Sequence, residues 1–538
     1  MLRSGVLVLG VSAGMAGAQA PAYPEGAETP RHMTEAERAW VEAHPIVASS
    51  ARGAGAPTGP VRCAAEYEPM EGILIAYEGS SGWLSILRQM AVQITTVGEA
   101  NIYVMCDTSS EAASVEAAMV GQGADPDRVF TFVRATNTIW MRDYGPRYIF
   151  EGGVRAIVDH TYNRPRPQDN AIPDYWAGIR GEAEYQIPLV HGGGNYHLDA
   201  LGESAATRLI NNENPGLSEA EIRQLWRDYQ NLETAMFDPF PTSVDSTQHI
   251  DMWMQIASDD TVVISDWPVQ PGSTQDMICD AAAVDFASRG FNVVRVPAIR
   301  SGGTHYTFTN VVMCNDLILL PEYDAISATY SAQALAAWEA AFPEKTVVQI
   351  DCDAIVTAAG VMHCIVMHVP ANSGGENPVV WVSSLNEGET LEPGQLVAIE
   401  WRTDDDEKDV PSVDIELSVN GGASFSPVET GYDNTGLYGW VVPDVATTQG
   451  VIRVTARDGD GNTGFDETDL ALTINGTDPS CNGADLAEPY GSLDFSDVVA
   501  FLGAFAGMES SADLAEPFGS FDFSDVVAFL AAFAAGCP

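Results

Sequence analysis

The stretch Glu71–Cys106, "EGILIAYEGSSGWLSILRQMAVQITTVGEANIYVMC", decides the fold class. "GILIAY" and "ANIYVMC" read as short apolar strands, and "SGWLSILRQMAVQI" between them reads as a helix. The same alternation runs on through "EAASVEAAMVGQ" and "VFTFVRA". Strand-like "VVIS", "NVVRVP" and "LILLP" follow, with "AQALAAWEAAF" as a further helix. Strands alternating with helices argue an α/β domain, here spanning 57–371.

Beyond "ANSGGENP", Ala371–Pro378, the pattern changes. Short alternating strands separated by turn signals such as "NGG" and "DGDGN" fill 378–476, and no helix interrupts them. That indicates an immunoglobulin-like β-sandwich without the cysteine pair of antibody domains. The tail, 481–538, is an internal repeat. "ADLAEPYGSLDFSDVVAFLGAFAG" begins at Ala484 and "ADLAEPFGSFDFSDVVAFLAAFAA" at Ala512, a period of 28. Each half joins an acidic loop to an amphipathic helix, with Ser496 or Ser524 near its cap. Cys481 and Cys537 bracket the pair as a candidate disulfide.

At the other end, Met1–Ala20 reads as an export signal: a positive start at Arg3, an apolar core and an A-x-A site at Ala18–Ala20. A Pro- and Gly-rich linker or pro-segment follows over 21–56, with one helix, "MTEAERAWVEAH", capped by Thr34. The implied location is secreted or cell-surface associated, and no run approaches the roughly 20 apolar residues of a membrane span.

Of the 538 residues, 75 are Asp or Glu and 25 are Lys or Arg, a net charge of -50. Such a surface repels nucleic acid and anionic membranes and suits a salty medium or cationic partners. The eight cysteines show no CxxC spacing, which gives a zinc site little support.

Four motifs carry candidate chemistry. "TIWMRDYGPRYIF", Thr138–Phe150, breaks a strand-like run with Arg142-Asp143; Asp143 is either a turn former or a functional carboxylate, and Arg142 reads as structural. "HGGGNYHLD", His191–Asp199, has three glycines that permit positive φ or close backbone approach, in a tight hairpin or a site. "TQHIDMWMQ" places His249 and Asp251 two apart, on one face if the run is a strand. "AAGVMHCIVMHVP" carries Cys364 from a small-residue loop into an apolar strand, as a buried small hydrophobe or as a nucleophile.

Taken together, two carboxylates, a histidine and a cysteine suit attack on a guanidinium carbon. Carboxylates grip a guanidinium bidentately, a thiolate adds to its central carbon, and an imidazole moves the protons. A bound cation also favours the thiolate, offsetting a free-thiol pKa of about 8.5.

These motifs, in this order over roughly residues 57–370, resemble the guanidino-modifying enzymes. The bacterial peptidylarginine deiminases are most similar, with the agmatine deiminases next. The resemblance implies a five-bladed α/β propeller. It implies Asp143, His249, Asp251, Asn310 and Cys364 as the catalytic set, Trp140 as a wall of the pocket and no cofactor for catalysis. Arg164 and Arg166 in "YNRPRPQDN" resemble a pair that meets the α-carboxylate of a C-terminal arginine. Arginine-containing peptides or proteins are therefore the expected substrates, with agmatine or free arginine as the alternative and an inactive surface-binding module as the alternative of another class. The tail resembles a dockerin. That implies a cell-surface or scaffold partner and calcium held by Asp485, Asp494, Asp497, Asp513, Asp522 and Asp525, although Ala487 and Pro489 stand where oxygen ligands are expected.

Overall fold

The computed structural model describes residues 20–49, 55–406, 409–476, 482–487 and 490–537. Met1–Gln19 of the expected export signal, and Cys481 of the expected disulfide, lie outside them. The chain divides into two units, one running to Ser373 and one from Gly374.

The first unit repeats one motif five times. Two antiparallel strands are followed by a helix and by a strand parallel to the second. Thus Arg147–Glu151 pairs antiparallel with Val154–Tyr162, and Ala183–His191 returns parallel to it after the helix Ile172–Arg180. The same order recurs through Glu203–Thr207 and Glu233–Phe237, Thr261–Asp266 and Asn292–Pro297, and Leu317–Glu322 and Thr346–Asp351. The remaining sheet is closed from both ends of the unit. Met367–Pro370, late in the chain, pairs antiparallel with Met70–Ala76, which runs parallel to Asn101–Cys106. Five such sheets make an α/β propeller-like fold.

Local chemistry explains these elements. Met70–Ala76 and Asn101–Cys106 are apolar almost throughout because both faces of their sheet are covered. The helix Ser81–Thr96 between them buries Trp83, Ile86, Leu87, Met90, Ala91 and Ile94. That i, i+3, i+4 stripe packs against the sheet, each large side chain contributing roughly 1.5–3 kcal/mol.

Two strand expectations are corrected. Met141–Tyr144 is a helical turn, although its aromatic and apolar flanks read as a strand. The Tyr144 hydroxyl donates to Thr138 O at 2.6 Å and holds that turn closed. His249 and Asp251 are likewise not strand neighbours: His249 caps the short 3-10 turn Ile250–Met252, with Asp251 inside it.

The second unit has a three-stranded sheet, Val379–Val382, Leu396–Asp404 and Leu437–Val441. A six-stranded sheet is built around Ala446–Arg457 and Ser412–Ser418. Inward residues such as Ile399, Trp401, Ile415, Ile452 and Val454 form one core. Two helices of equal length follow, Phe495–Gly507 and Phe523–Ala535, whose Phe501 and Phe529 stack at 4.1 Å. Their N-caps are Asp494 and Asp522, two residues before the serines that the sequence placed near the cap. Both carboxylate oxygens of Asp497, and both of Asp525, accept backbone N–H groups. Asp485 and Asp513 accept from Gly491 N and Gly519 N. Cys537 is disulfide-bonded. Among the described residues no helix is long and apolar enough to cross a membrane.

Candidate active site

The site gathers three turns distant in the chain, and a further segment enters it from the N-terminal region. The turn Met141–Tyr144 presents Asp143, the turn Ile250–Met252 presents Asp251, and the 3-10 turn His363–Ile365 presents Cys364. All three side chains are fully buried. Between them lies the guanidinium of Arg31.

Every N–H of that guanidinium has an acceptor. Nε and Nη2 donate to Asp143 Oδ2 and Oδ1 at 3.0 and 2.7 Å. Nη1 and Nη2 donate to Asp251 Oδ1 and Oδ2 at 3.0 and 2.9 Å. Nη1 also meets Cys364 Sγ at 2.6 Å. Two bidentate carboxylates and one sulfur thus use all five donors a guanidinium has.

Burial alone would raise the Asp143 and Asp251 carboxyls. For Asp143 the Arg31 charge and His249 outweigh it, and for Asp251 Arg31 and His363 do, so both stay well below the usual carboxylate range. At Cys364 burial comes first, Asp251 and Asp143 add to it, and the thiol is pushed well above its ordinary value. Arg31 acts the other way. A cation in this pocket is therefore what favours the thiolate.

His249 Nδ1 lies 3.4 Å from Asp143 Oδ1. Asn310 joins two of the turns: its Nδ2 donates to Asp251 O at 3.1 Å, and its Oδ1 accepts from His363 N at 3.1 Å. The Cys364 thiol donates to the same Oδ1 at 3.3 Å. Trp140 is fully buried and donates through Nε1 to Thr29 O at 2.8 Å.

The glycine run serves close approach. None of Gly192, Gly193 and Gly194 has positive φ, which removes one of the two reasons the sequence offered for them. A Cβ on Gly194 would stand 1.8 Å from Arg31 Nη2, 2.8 Å from Asp251 Oδ2 and 2.9 Å from Asp143 Oδ1. A Cβ on Gly192 would meet the His249 ring at 2.8 Å.

Arg164 reaches the main chain of Arg31, and Arg166 reaches that of its two neighbours. Arg164 Nε donates to Arg31 O at 3.2 Å, and Arg166 Nη2 donates to Pro30 O at 2.8 Å and His32 O at 3.4 Å. Arg166 Nε pairs with Glu37 Oε1 at 2.7 Å, and Arg31 N donates to Ala358 O at 3.0 Å. The sequence led to a terminal carboxylate at this pair. In the structure the arginines hold an arginine inside a polypeptide.

Three participants were not legible in the motifs. His363 Nδ1 lies 3.0 Å from Asp251 Oδ2, and its Nε2 lies 2.9 Å from Glu66 Oε2. Glu66 Oε1 pairs with Arg142 Nη1 at 2.6 Å, which gives Arg142 the structural place expected of it. His363 had one signal, its position beside Cys364. Glu66 in "AAEYEPMEG" and Arg31 in "TPRHMTEAE" had none.

A family model described as Porphyromonas-type peptidyl-arginine deiminase matches residues 62–370. A protein of Streptomyces avermitilis named as a candidate agmatine deiminase is 26% identical over 299 residues, 50% of this chain and 84% of its own length. The crystal structure of a candidate arginine deiminase from Porphyromonas gingivalis superposes with a TM-score of 0.51 at 21% identity, covering 58% of this chain and 98% of that one. The agmatine deiminase of Enterococcus faecalis gives 0.51 at 19% identity, covering 59% and 99%. At these identities the two structures speak to the fold.

Proposed function

Since the chain belongs to the Porphyromonas-type peptidyl-arginine deiminase family, whose chemistry is hydrolysis at the C–N bonds of a guanidine, we propose that it converts arginine in peptides or proteins to citrulline and ammonia. The observation that carries this reading is Arg31, an arginine with main chain on both sides, held by Asp143, Asp251 and Cys364 at its guanidinium and by Arg164 at its carbonyl.

In the proposed reaction Asp143 and Asp251 fix the guanidinium, whose positive charge is the largest offset to theirs. The Cys364 thiolate adds to Cζ. His249 gives a proton to the departing nitrogen, which leaves as ammonia, and then takes one from the water that attacks the resulting thiouronium carbon. Loss of the thiolate leaves citrulline. Asn310 holds the Asp251 and Cys364 turns in register, and Gly194 leaves the room that the guanidinium fills. In a substrate that ends in arginine, one carboxylate oxygen takes the place of the carbonyl that Arg164 holds here.

Agmatine is the second reading, favoured by the names of the relatives. Agmatine has no carbonyl for Arg164 or Arg166 to hold, and for that reason peptide arginine stands first.

The test uses the purified chain and Cys364→Ala with four substrates: a peptide with internal arginine, one ending in arginine, agmatine and free arginine. Citrulline in the peptides, absent with the variant, supports the proposal. Turnover of agmatine alone moves the activity to the small-molecule enzymes. No turnover in a folded protein leaves a binding module.

A further inference from the structure

Residues 20–49 reach the site without joining the core. Among the described residues, none of that stretch belongs to the apolar clusters of the first unit. Its attachments are polar. The Tyr23 hydroxyl donates to Pro165 O at 2.9 Å, His32 Nδ1 lies 2.9 Å from Ser246 Oγ, and Ser49 N donates to Thr161 Oγ1 at 2.9 Å. A cavity of about 700 Å³ opens between Pro21, Tyr23 and Trp40 on one side and Arg164 and Arg166 on the other. The segment is therefore docked, and its fully buried anchor is Arg31.

That anchor takes everything the site offers a peptide arginine: both carboxylates, the sulfur, the Arg164 donor and the Ala358 carbonyl. We propose that Arg31 is a built-in substrate, and that residues 20–49 close the site until the chain converts its own Arg31 to citrulline. This inference rests on the reading of the site as an arginine deiminase.

The step balances with water as the co-reactant. The Cys364 sulfur forms a bond to Cζ of Arg31, one Cζ–Nη bond breaks, and that nitrogen leaves as ammonia. Water then adds to Cζ, the C–S bond breaks, and the side chain is left as a ureido group. Nothing is oxidised or reduced.

Conversion opens the site for electrostatic and geometric reasons. A ureido group is neutral, and it has three N–H donors where the guanidinium had five. One new oxygen must face a carboxylate or the sulfur, and two buried carboxylates lose the charge that compensated them. What remains on the segment is the polar contact set, including Glu37 on Arg166.

Occupancy before conversion follows from tethering. A tethered group stands at an effective concentration in the mM range, against KM values of about 1 μM–1 mM, so a closed chain has its apparent KM for outside peptides raised about tenfold or more.

The test begins with the full-length wild type and Cys364→Ala, each mapped at residue 31 by peptide mass spectrometry. Citrulline in the wild type and arginine in Cys364→Ala is the expected result, and it needs no Arg31 variant to fold. Incubating Cys364→Ala with wild type should leave its Arg31 unchanged, because the residue is buried in its own site. Two further variants separate charge from conversion. Arg31→Gln should match the converted wild type on an arginine peptide, while Arg31→Lys keeps a cation that this chemistry does not convert and should show KM about tenfold higher. Unconverted Arg31 in a wild-type preparation that turns over outside peptides overturns the inference and leaves the proposed activity standing. Equal KM for Arg31→Gln and Arg31→Lys overturns it too. A folded Arg31→Gln chain inert toward every arginine substrate defeats the proposed activity and this inference with it.

Discussion

Arg142 Nη1 lies 2.6 Å from Glu66 Oε1, and through that carboxylate the arginine is linked to the site. Glu66 Oε2 meets His363, and His363 meets Asp251. Burial would raise the Glu66 carboxyl, but Arg142 and then His363 hold it well below its ordinary range. Glu66 is thus a charge that orients another charge.

Glu66→Gln should cost about 3–5 kcal/mol, the usual effect of leaving one member of a buried pair alone, measured by chemical denaturation. Its kinetic signature should be a rise in KM for an arginine peptide that exceeds the fall in kcat. Asp251 grips substrate and transition state alike, so its misplacement removes uniform binding. A purely structural role would lower stability and leave KM where it was.

Gly194→Ala should fold and fail to bind. The position has no positive φ, so alanine meets no backbone penalty there, yet its Cβ would stand 1.8 Å from the bound guanidinium. We expect kcat/KM for arginine peptides to fall more than about 100-fold, equivalent to roughly 2.7 kcal/mol, with an unchanged circular dichroism spectrum. Calorimetric binding of a guanidinium ligand checks this directly.

Proton release should accompany substrate binding. The buried Cys364 thiol is raised well above its ordinary value, and a guanidinium beside it acts in the opposite direction. The thiol stays raised even with that guanidinium in place, so it is at alkaline pH that the bound state holds fewer protons than the free one and affinity for a guanidinium should increase with pH. Calorimetry of Arg31→Gln in two buffers of different ionisation enthalpy should report this release. The same titration with Cys364→Ala added should not.

Stability should depend on acid through Asp143 and Asp251. Both carboxyls are depressed in the folded chain, Asp143 chiefly by Arg31 and His249 against burial, Asp251 by Arg31 and His363. Their contribution is complete above the unfolded value of about 3.9 and is lost as pH falls through the lower folded values. Denaturation midpoints of Cys364→Ala, which keeps Arg31 as arginine, should drop between about pH 4 and pH 2 more steeply than those of the same variant carrying Asp251→Asn.

What the sequence revealed of the site follows from locality. Asp143, His249, Asp251 and Cys364 each stand in a short motif whose residue types already suit guanidinium chemistry, Asn310 was implied by the family resemblance alone, and the structure brings all five together. The turns that carry them were harder to read. The apolar and aromatic flanks of Met141–Tyr144 signal a strand, but the segment is closed by the Tyr144 hydroxyl on Thr138 O, a contact that no periodicity reports. Glu66 and His363 are 297 residues apart, and Arg31 and Cys364 are 333 apart. Such pairs leave no trace in local pattern. A lone arginine in a Pro-rich stretch reads as linker until the fold places it between two carboxylates.

The central claim is that Cys364 attacks the guanidinium carbon of a peptide arginine. Rapid acid quenching of the chain during turnover of an arginine peptide, followed by peptide mapping, tests it most directly. The account predicts a peptide adduct on Cys364 that appears before citrulline is released and is absent in Cys364→Ala. Citrulline formed with no adduct on Cys364, or formed at an undiminished rate by Cys364→Ala, would contradict it.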